Sequence, residues 1–491
     1  MRALGSTTDF WDGTLGSNTL LVARGARRVV GSPTVRRIQL AAAVAASVIS
    51  AGAPVARASA PELFGFGSEE AGVGGASSAR VHDFSAGYYN PAGLVGLRVA
   101  EASFGLLGYG SQLKIDGFDK GRAQPITEPI GIVIGAAAPV PLRGIFKDRL
   151  YVGMALYVLP DAIVRVIAHS PETPFFPYYD NRSQRLIVLP SLAVRIGWGL
   201  SAGLALNYLA GLGGRVEATE GLTRAVEPRV DEAIFSTGRI NAGLLWRSPA
   251  ERFSAALVYR QRFSVPFTTA TANRVAGQPL DIAIDAEGLF TPDEIVLGGA
   301  ARVVPWLLLS LDVTVSLWSA WRGPFVNVTS NLPIVASLSA PPPQLAWRDT
   351  VAVRAGGEAV RSLGRDLLGK LRAGYGFETS PIPTDQGGIT NLLDGPKHFL
   401  SLGAGLRFAL GAAALRLDVN GQMHVMQHTT LVKQVAPAGT QPDPAKALRD
   451  ERPDDPNHPE TLGVQVSNPG YPSIGGGGFV WSAGLTLTVE R

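Results

Sequence analysis

The chain contains no cysteine, which excludes disulfides, thiolate metal sites and a cysteine nucleophile together. It also lacks, in its body, any run of about 20 apolar residues able to cross a bilayer as a helix, because glycine, proline or a charge interrupts every candidate. Charge is sparse at 17% of residues, and only six histidines occur. Against these shortages stand 46% hydrophobic residues over 491 positions and a mean hydropathy of +0.16, an excess that a lipid-facing surface explains. Fifty-eight glycines without a collagen-like period suit a sheet that twists and packs closely, and 35 prolines suit long loops.

The first 58 residues read as a leader. Arg36 and Arg37 precede an alanine-rich apolar stretch from Ile38 to Val55, which ends in the small-x-small pattern Ala56-Arg57-Ala58. Signal-peptide cleavage is expected after Ala58. A translation start near Val35 would give a signal of ordinary length, of about 24 residues. Residues 1 to 58 hold seven arginines and two acids, so without them the net charge falls from +4 to −1. The basicity belongs to the leader, no Lys/Arg stripe remains, and nucleic acid is not an expected partner.

Beyond residue 98 the dominant signal is alternation with period two, which places successive side chains on opposite faces of a strand. Leu415, Leu417, Val419, Gly421, Met423 and Val425 share one face, while Arg416, Asp418, Asn420, Gln422 and His424 share the other. The pattern recurs in Leu309 to Leu317, Lys370 to Glu378 and Phe479 to Glu490. It predicts strands at 99–109, 129–139, 150–160, 185–198, 200–210, 236–247, 252–263, 294–304, 306–321, 349–358, 368–378, 399–409, 413–427 and 477–490. The connections after even-numbered strands are short, as at Gly199, Ser248 to Glu251, Pro305 and Leu410 to Ala412. Those after odd-numbered strands are long, as at 161–184, 211–235, 264–293, 322–348 and 428–476. A soluble sandwich gives no reason for such parity. An up-and-down outer-membrane barrel does, so the expected class is all-β: a transmembrane antiparallel β-barrel of about 14 strands over residues 99–491. Tyr109, Tyr151, Trp198, Tyr208, Trp246, Trp306, Trp321 and Phe377, near strand ends, are read as interfacial girdles.

Residues 59–98 differ, being rich in small residues and lacking sustained alternation. Asn90-Pro91-Ala92-Gly93 favours a turn, since proline fixes its own φ and restricts the residue before it. A compact segment ahead of the first strand can fold into the lumen as a plug. Here Ser85-Ala86-Gly87-Tyr88-Tyr89-Asn90-Pro91-Ala92-Gly93-Leu94 resembles the N-terminal hatch motif of the FadL/TodX family of outer-membrane transporters for long-chain fatty acids and other hydrophobic compounds. Trp318-Ser319-Ala320-Trp321, Trp347-Arg348-Asp349-Thr350 and Gly376-Phe377-Glu378-Thr379-Ser380-Pro381-Ile382-Pro383 resemble further family landmarks, in the same order. The resemblance implies fourteen strands, a hatch organised by Asn90, Pro91 and Ala92, capture of apolar substrate at outer loops, and release sideways through the wall. The final Val489-Glu490-Arg491 lacks the terminal aromatic common in such barrels, so the barrel-assembly machinery, an expected partner, would read Trp481 or the strand pattern instead.

Two outer loops are unusually apolar and are the candidate capture site: Phe175, Phe176, Tyr178 and Tyr179 in one, Leu332, Ile334 and Val335 in the other. Exposed apolar clusters often mark ligand or membrane surfaces. Mutual covering, or insertion into lipopolysaccharide, is the alternative for these loops. An enzyme is not expected, because the six histidines are scattered over plug, loops and strands. No cofactor or metal is called for. His424 and His428, on one face of a strand, stand about 13 Å apart, too far to share an ion, and the acidic segment around Asp454 and Asp455 lacks calcium-loop spacing. The expected function is passive uptake of long-chain fatty acids or similar hydrophobic compounds across a lipid and lipopolysaccharide membrane. The alternative is a general porin for small hydrophilic solutes, favoured by the Arg, Asp and Asn residues on the lumen face.

Overall fold

Fourteen strands of the computed structural model close on themselves. Described residues are 60–116, 130–158, 174–180, 186–220, 226–275, 278–323, 326–330, 345–384, 386, 390–436, 447–449 and 473–491, all within the compact unit Ala53–Arg491. The expected signal peptide, with its cleavage after Ala58, and Leu332, Ile334 and Val335 lie outside them.

The first half of the wall is β1 (Glu101–Ile115), β2 (Ile130–Pro139), β3 (Leu150–Val158), β4 (Ile187–Gly197), β5 (Leu200–Glu220), β6 (Val226–Arg247) and β7 (Phe253–Arg260). After β8 (Phe263–Val275) and β9 (Gln278–Thr291), the wall resumes with β10 (Asp293–Val304) and β11 (Leu307–Leu317). Following β12 (Val326–Ser330) it is completed by β13 (Thr350–Gly364), β14 (Leu367–Glu378), β15 (Lys397–Leu410) and β16 (Ala413–Val432). A small parallel pair, β17 (Gln434–Ala436) and β18 (Ala447–Arg449), precedes the last wall strand, β19 (Ser473–Glu490). Each wall strand pairs antiparallel with the next, β7 with β10 and β11 with β13 across the excursions. The seam joins β1 to β19 from Glu101↔Glu490 to Ile115↔Gly476. Closure leaves no unpaired edge for lipid to solvate.

Alternation sorts the two surfaces as the sequence pattern requires. In β11, Leu309 and Leu311 are exposed outward, while Ser310, Asp312, Thr314 and Ser316 are buried inward. In β14, Leu371 is exposed and its neighbour Arg372 is buried. An apolar exterior around a polar interior is the arrangement a barrel takes in a bilayer. The girdle reading divides: Trp198, Tyr208, Trp246 and Trp306 are exposed, but Tyr109, Tyr151 and Trp321 are buried. Nearness to a strand end does not settle the face, which depends on whether the residue number is odd or even within the strand.

Short connections do link β2–β3, β4–β5, β6–β7, β10–β11, β13–β14 and β15–β16. The long connections contain more sheet than expected. β5 and β6 stay paired from Leu200↔Trp246 out to Glu220↔Val226, across most of the predicted 211–235 loop. β8 and β9 form a hairpin within the predicted 264–293 loop, with β8 parallel to β5 and β9 antiparallel to β12. Apolar alternation marks only the length of strand in contact with lipid, so a hairpin continuing into water escapes it.

Candidate functional site: the plug and the cavity beside it

Residues 62–97 are almost wholly buried inside the wall. They fold as short helical turns at Ala60–Phe64, Ser68–Ala71 and Ala86–Tyr89 and a 3-10 turn at Pro91–Gly96. Asn90 is extended, at φ −159°, as a residue before proline must be. Its side-chain oxygen accepts from Ala92 N–H at 3.1 Å and caps the 3-10 turn. Its amide donates to Ser78 O at 2.8 Å within the plug and to Leu244 O at 3.2 Å on the wall. Asn90, Pro91 and Ala92 are thus brought together as a wall contact. The wall accommodates them with Gly203, against Pro91 and Ala92, and Gly243, against Asn90, because a Cβ at either position would collide with the plug.

Two further anchors were not legible as such. Asp312 accepts from the backbone N–H groups of Ser77 and Ser78 at 2.9 Å each and from the Ser78 hydroxyl at 2.7 Å. The second is ionic. Glu69 of the plug lies 3.1 Å from both Lys370 and Arg372, and Arg80 of the plug lies 3.0 Å from Glu358. Arg372 also pairs with Asp418 at 2.7 Å, and Arg416 pairs with plug Asp83 at 3.0 Å. Burial alone would raise the Glu69 carboxyl, but Arg372, Lys370 and Arg416 outweigh it and hold it well below the usual carboxylate range. Adjacent Glu70 goes the other way: burial, reinforced by Asp83 and Glu69, pushes it well above. Neither Glu70 oxygen makes a hydrogen bond, and Arg80, at 3.6 Å, offsets the upward shift only in part. Opposite charges on the same lumen face, together with Glu69, Glu70, Asp83 and Arg80 in the plug, were the sequence signal for this network.

Between plug and wall lies a cavity of about 70 Å³. Phe64, Tyr88, Tyr89, Tyr178 and Phe399 give it aromatic surface, and Arg260, Glu294, Arg354 and Glu378 give it charge. These charges are internally paired, Arg260 with Glu294 at 2.8 Å and Arg354 with Glu378 at 3.2 Å. Arg260 also donates to the Tyr88 and Tyr89 carbonyls, tying plug to wall.

The first apolar loop is placed against this cavity, not out in solvent. Phe175, Phe176, Tyr178 and Tyr179 are all at most 4% exposed. Tyr178 lines the cavity, donates to Glu378 at 3.3 Å and packs on Trp318 at 6.0 Å between ring centroids. Trp318 continues through Phe290, Trp321 and Trp347 as one aromatic stack. The segment is covered by other outer residues, Trp318 against Tyr178 and Leu392 bridged to Phe175. Backbone contacts stitch it to a second outer segment: Leu393 N–H donates to Phe175 O at 2.9 Å, and Phe175 N–H to Asn391 O at 3.4 Å. Lys433, which donates to the Asn391 side chain at 2.6 Å, joins a third. Burial pushes its ammonium down to about 7.

The β4–β5 ladder is interrupted. β4 and β5 pair at Val188↔Tyr208 and again at Ser191↔Ala205, with Leu189 and Pro190 skipped between them. Proline cannot donate to a ladder. Plug residue Gly87 lies beside this interval, its position such that an added Cβ would meet Ser191 and the Leu189 carbonyl.

A pattern with nucleophile-elbow spacing, Gly199-Leu200-Ser201-Ala202-Gly203, falls at the start of β5. Ser201 sits in a hairpin with no strand-to-helix turn, and its hydroxyl donates to the Leu245 and Ala92 carbonyls at 3.2 and 3.4 Å. It serves the plug–wall contact.

Closed wall, apolar exterior and filled polar lumen define an integral β-barrel of the bacterial outer membrane with an N-terminal plug. Its architecture is that of the FadL/TodX channels. A Pseudomonas aeruginosa FadL homologue matches with 13% identity and a TM-score of 0.53, over 89% of this chain and 98% of that one. The P. putida toluene transporter TodX matches with 14% identity and a TM-score of 0.51, over 87% and 99%. No profile of a known family and no curated protein sequence matches the chain. At such identities the shared property is the fold.

Proposed function

We propose that the protein mediates passive uptake of long-chain fatty acids or comparable hydrophobic compounds across the outer membrane. The observation that carries this reading is Tyr178, which belongs at once to the buried aromatic cluster of the outer segments and to the lining of the lumen cavity. An apolar molecule reaching the cluster would pass to the cavity without crossing bulk water, and each CH₂ so buried contributes about 0.8 kcal/mol. TodX, of the same fold, is a toluene transporter, which supports an apolar cargo here. The unladdered Leu189–Pro190 interval supports sideways release, since fewer hydrogen bonds need to part there.

The porin alternative loses its sequence support. Arg372, Arg416 and Asp418, which favoured a hydrated lumen, are engaged with the plug or with one another. The test is uptake of a labelled long-chain fatty acid, of toluene and of arabinose by cells expressing the protein and lacking their own transporter. Faster entry of an apolar compound with unchanged arabinose entry is expected; faster arabinose entry alone would refute it.

A further inference from the structure

The short-turn end of the barrel carries a chemistry that neither plug nor cavity uses. Five of its six connections have an exposed arginine in them or within three residues: Arg149, Arg195, Arg252, Arg302 and Arg365. Arg195 is engaged with Val95 O and the Tyr151 hydroxyl. The other four make no ion pair among the described residues. Exposed acids at this end are limited to Asp148, Glu251 and Asp366. The rim is therefore basic although the chain without its leader is close to neutral.

Between the arginines stand large apolar side chains, Phe146, Trp198, Trp306 and Leu363, each more than half exposed. Trp198 is the most informative. It occupies the first position of the two-residue turn between β4 and β5 at φ 52°, ahead of Gly199 at φ 80°. Asparagine or glycine ordinarily fills such a position, which a bulky residue adopts only against steric resistance. Its indole is 95% exposed and so gains almost nothing from the rest of the chain. What compensates lies outside the protein. Leu192, Val194 and Ile196, on the same strand, continue the lipid-facing surface up to the turn. The turn thus lies where bilayer hydrocarbon gives way to headgroups, the level at which indoles settle. Arginines at that level face phosphate.

We propose that this rim binds anionic glycerophospholipid headgroups of the inner leaflet, with Arg149, Arg252, Arg302 and Arg365 as the phosphate contacts and Trp198 as the depth anchor. Tight short turns face the periplasm in barrels of this kind, which assigns the rim to the phospholipid leaflet and not to lipopolysaccharide. Juxtamembrane arginines gain from negative surface potential, and the gain is screened by salt.

The full chain, reconstituted in phosphatidylcholine bilayers, is to be probed with spin-labelled phosphatidylglycerol and spin-labelled phosphatidylcholine. A preference for the anionic lipid of at least about threefold is expected. It should fall towards one in ~1 M salt, where the screening length is about 3 Å. The combined variant Arg149→Gln, Arg252→Gln, Arg302→Gln, Arg365→Gln should lose the preference while keeping the heat-modifiable migration of a folded barrel. Equal association of the two lipids with the unaltered chain would overturn the proposal, pointing to an acidic protein partner instead. So would a preference indifferent to salt, a readout that needs no variant to fold.

Discussion

Asn90 on the plug and Gly243 on the wall share one volume: the Asn90 side-chain oxygen occupies the space that a Cβ on Gly243 would need. The same amide reaches across to the Leu244 carbonyl at 3.2 Å. Replacing Gly243 with valine should therefore unseat the Asn90-Pro91-Ala92 turn without removing any plug residue. Cells carrying Gly243→Val are expected to become sensitive to a large hydrophilic antibiotic that the outer membrane normally excludes. Unchanged resistance, with normal amounts of folded barrel, would show that the plug is not held there.

Glu69 and Glu70 are neighbours with opposite roles. Glu69 is ionised among Arg372, Lys370 and Arg416, and neutralising it leaves buried cations uncompensated, at a cost of about 3–5 kcal/mol. Glu70, raised by burial and by Asp83 and Glu69, already favours its neutral form. A raised carboxyl contributes stability below its unfolded pKa and loses it as pH climbs towards the folded value, so Glu70→Gln should be neutral or stabilising near pH 7. Thermal unfolding of the two glutamine variants in one detergent should separate them by several degrees. Equal destabilisation by both would contradict the assignment.

The distance between what was legible and what was not follows from where each signal lives. Lipid contact imposes strict alternation, so segments such as Leu309–Leu317 and Phe479–Glu490 declared both their conformation and their faces. The plug was recognisable from small residues and Asn90-Pro91, because a proline constrains backbone locally. Its bonds to the wall were not, since Glu69 and Arg372 are separated by some three hundred residues and meet only through closure. The Phe175–Tyr179 segment announced itself as apolar, yet composition cannot say whether rings are offered to solvent or covered by Trp318 and Leu392. Leu332, Ile334 and Val335 lie outside the described residues.

The aromatic cluster should be the main support of the outer segments. Phe176, 1% exposed, is replaced by alanine at an expected cost of about 3–5 kcal/mol. The loss should be local, appearing as protease cleavage within 174–180 while the strands stay intact. Cleavage no faster than in the unaltered chain would argue against a packed cap.

Lys433 gives the same region a pH dependence. Its ammonium is held down to about 7 by burial, against about 10.4 in an unfolded chain. Between those values the opened segment binds more protons than the closed one, so closure strengthens as pH rises from about 7 and is insensitive to pH below it. A lysine side-chain NMR titration should give Lys433 a midpoint near 7, and Lys433→Met should abolish the slope. A midpoint near 10 would remove the effect.

The most direct measurement is conductance of the purified full chain in a planar bilayer. A plug bonded through Glu69, Arg80 and Asn90 should leave no steady ion current, while Gly243→Val opens one. A large, stable current through the unaltered chain would mean a water-filled pore, and would contradict a plugged barrel reserved for hydrophobic cargo.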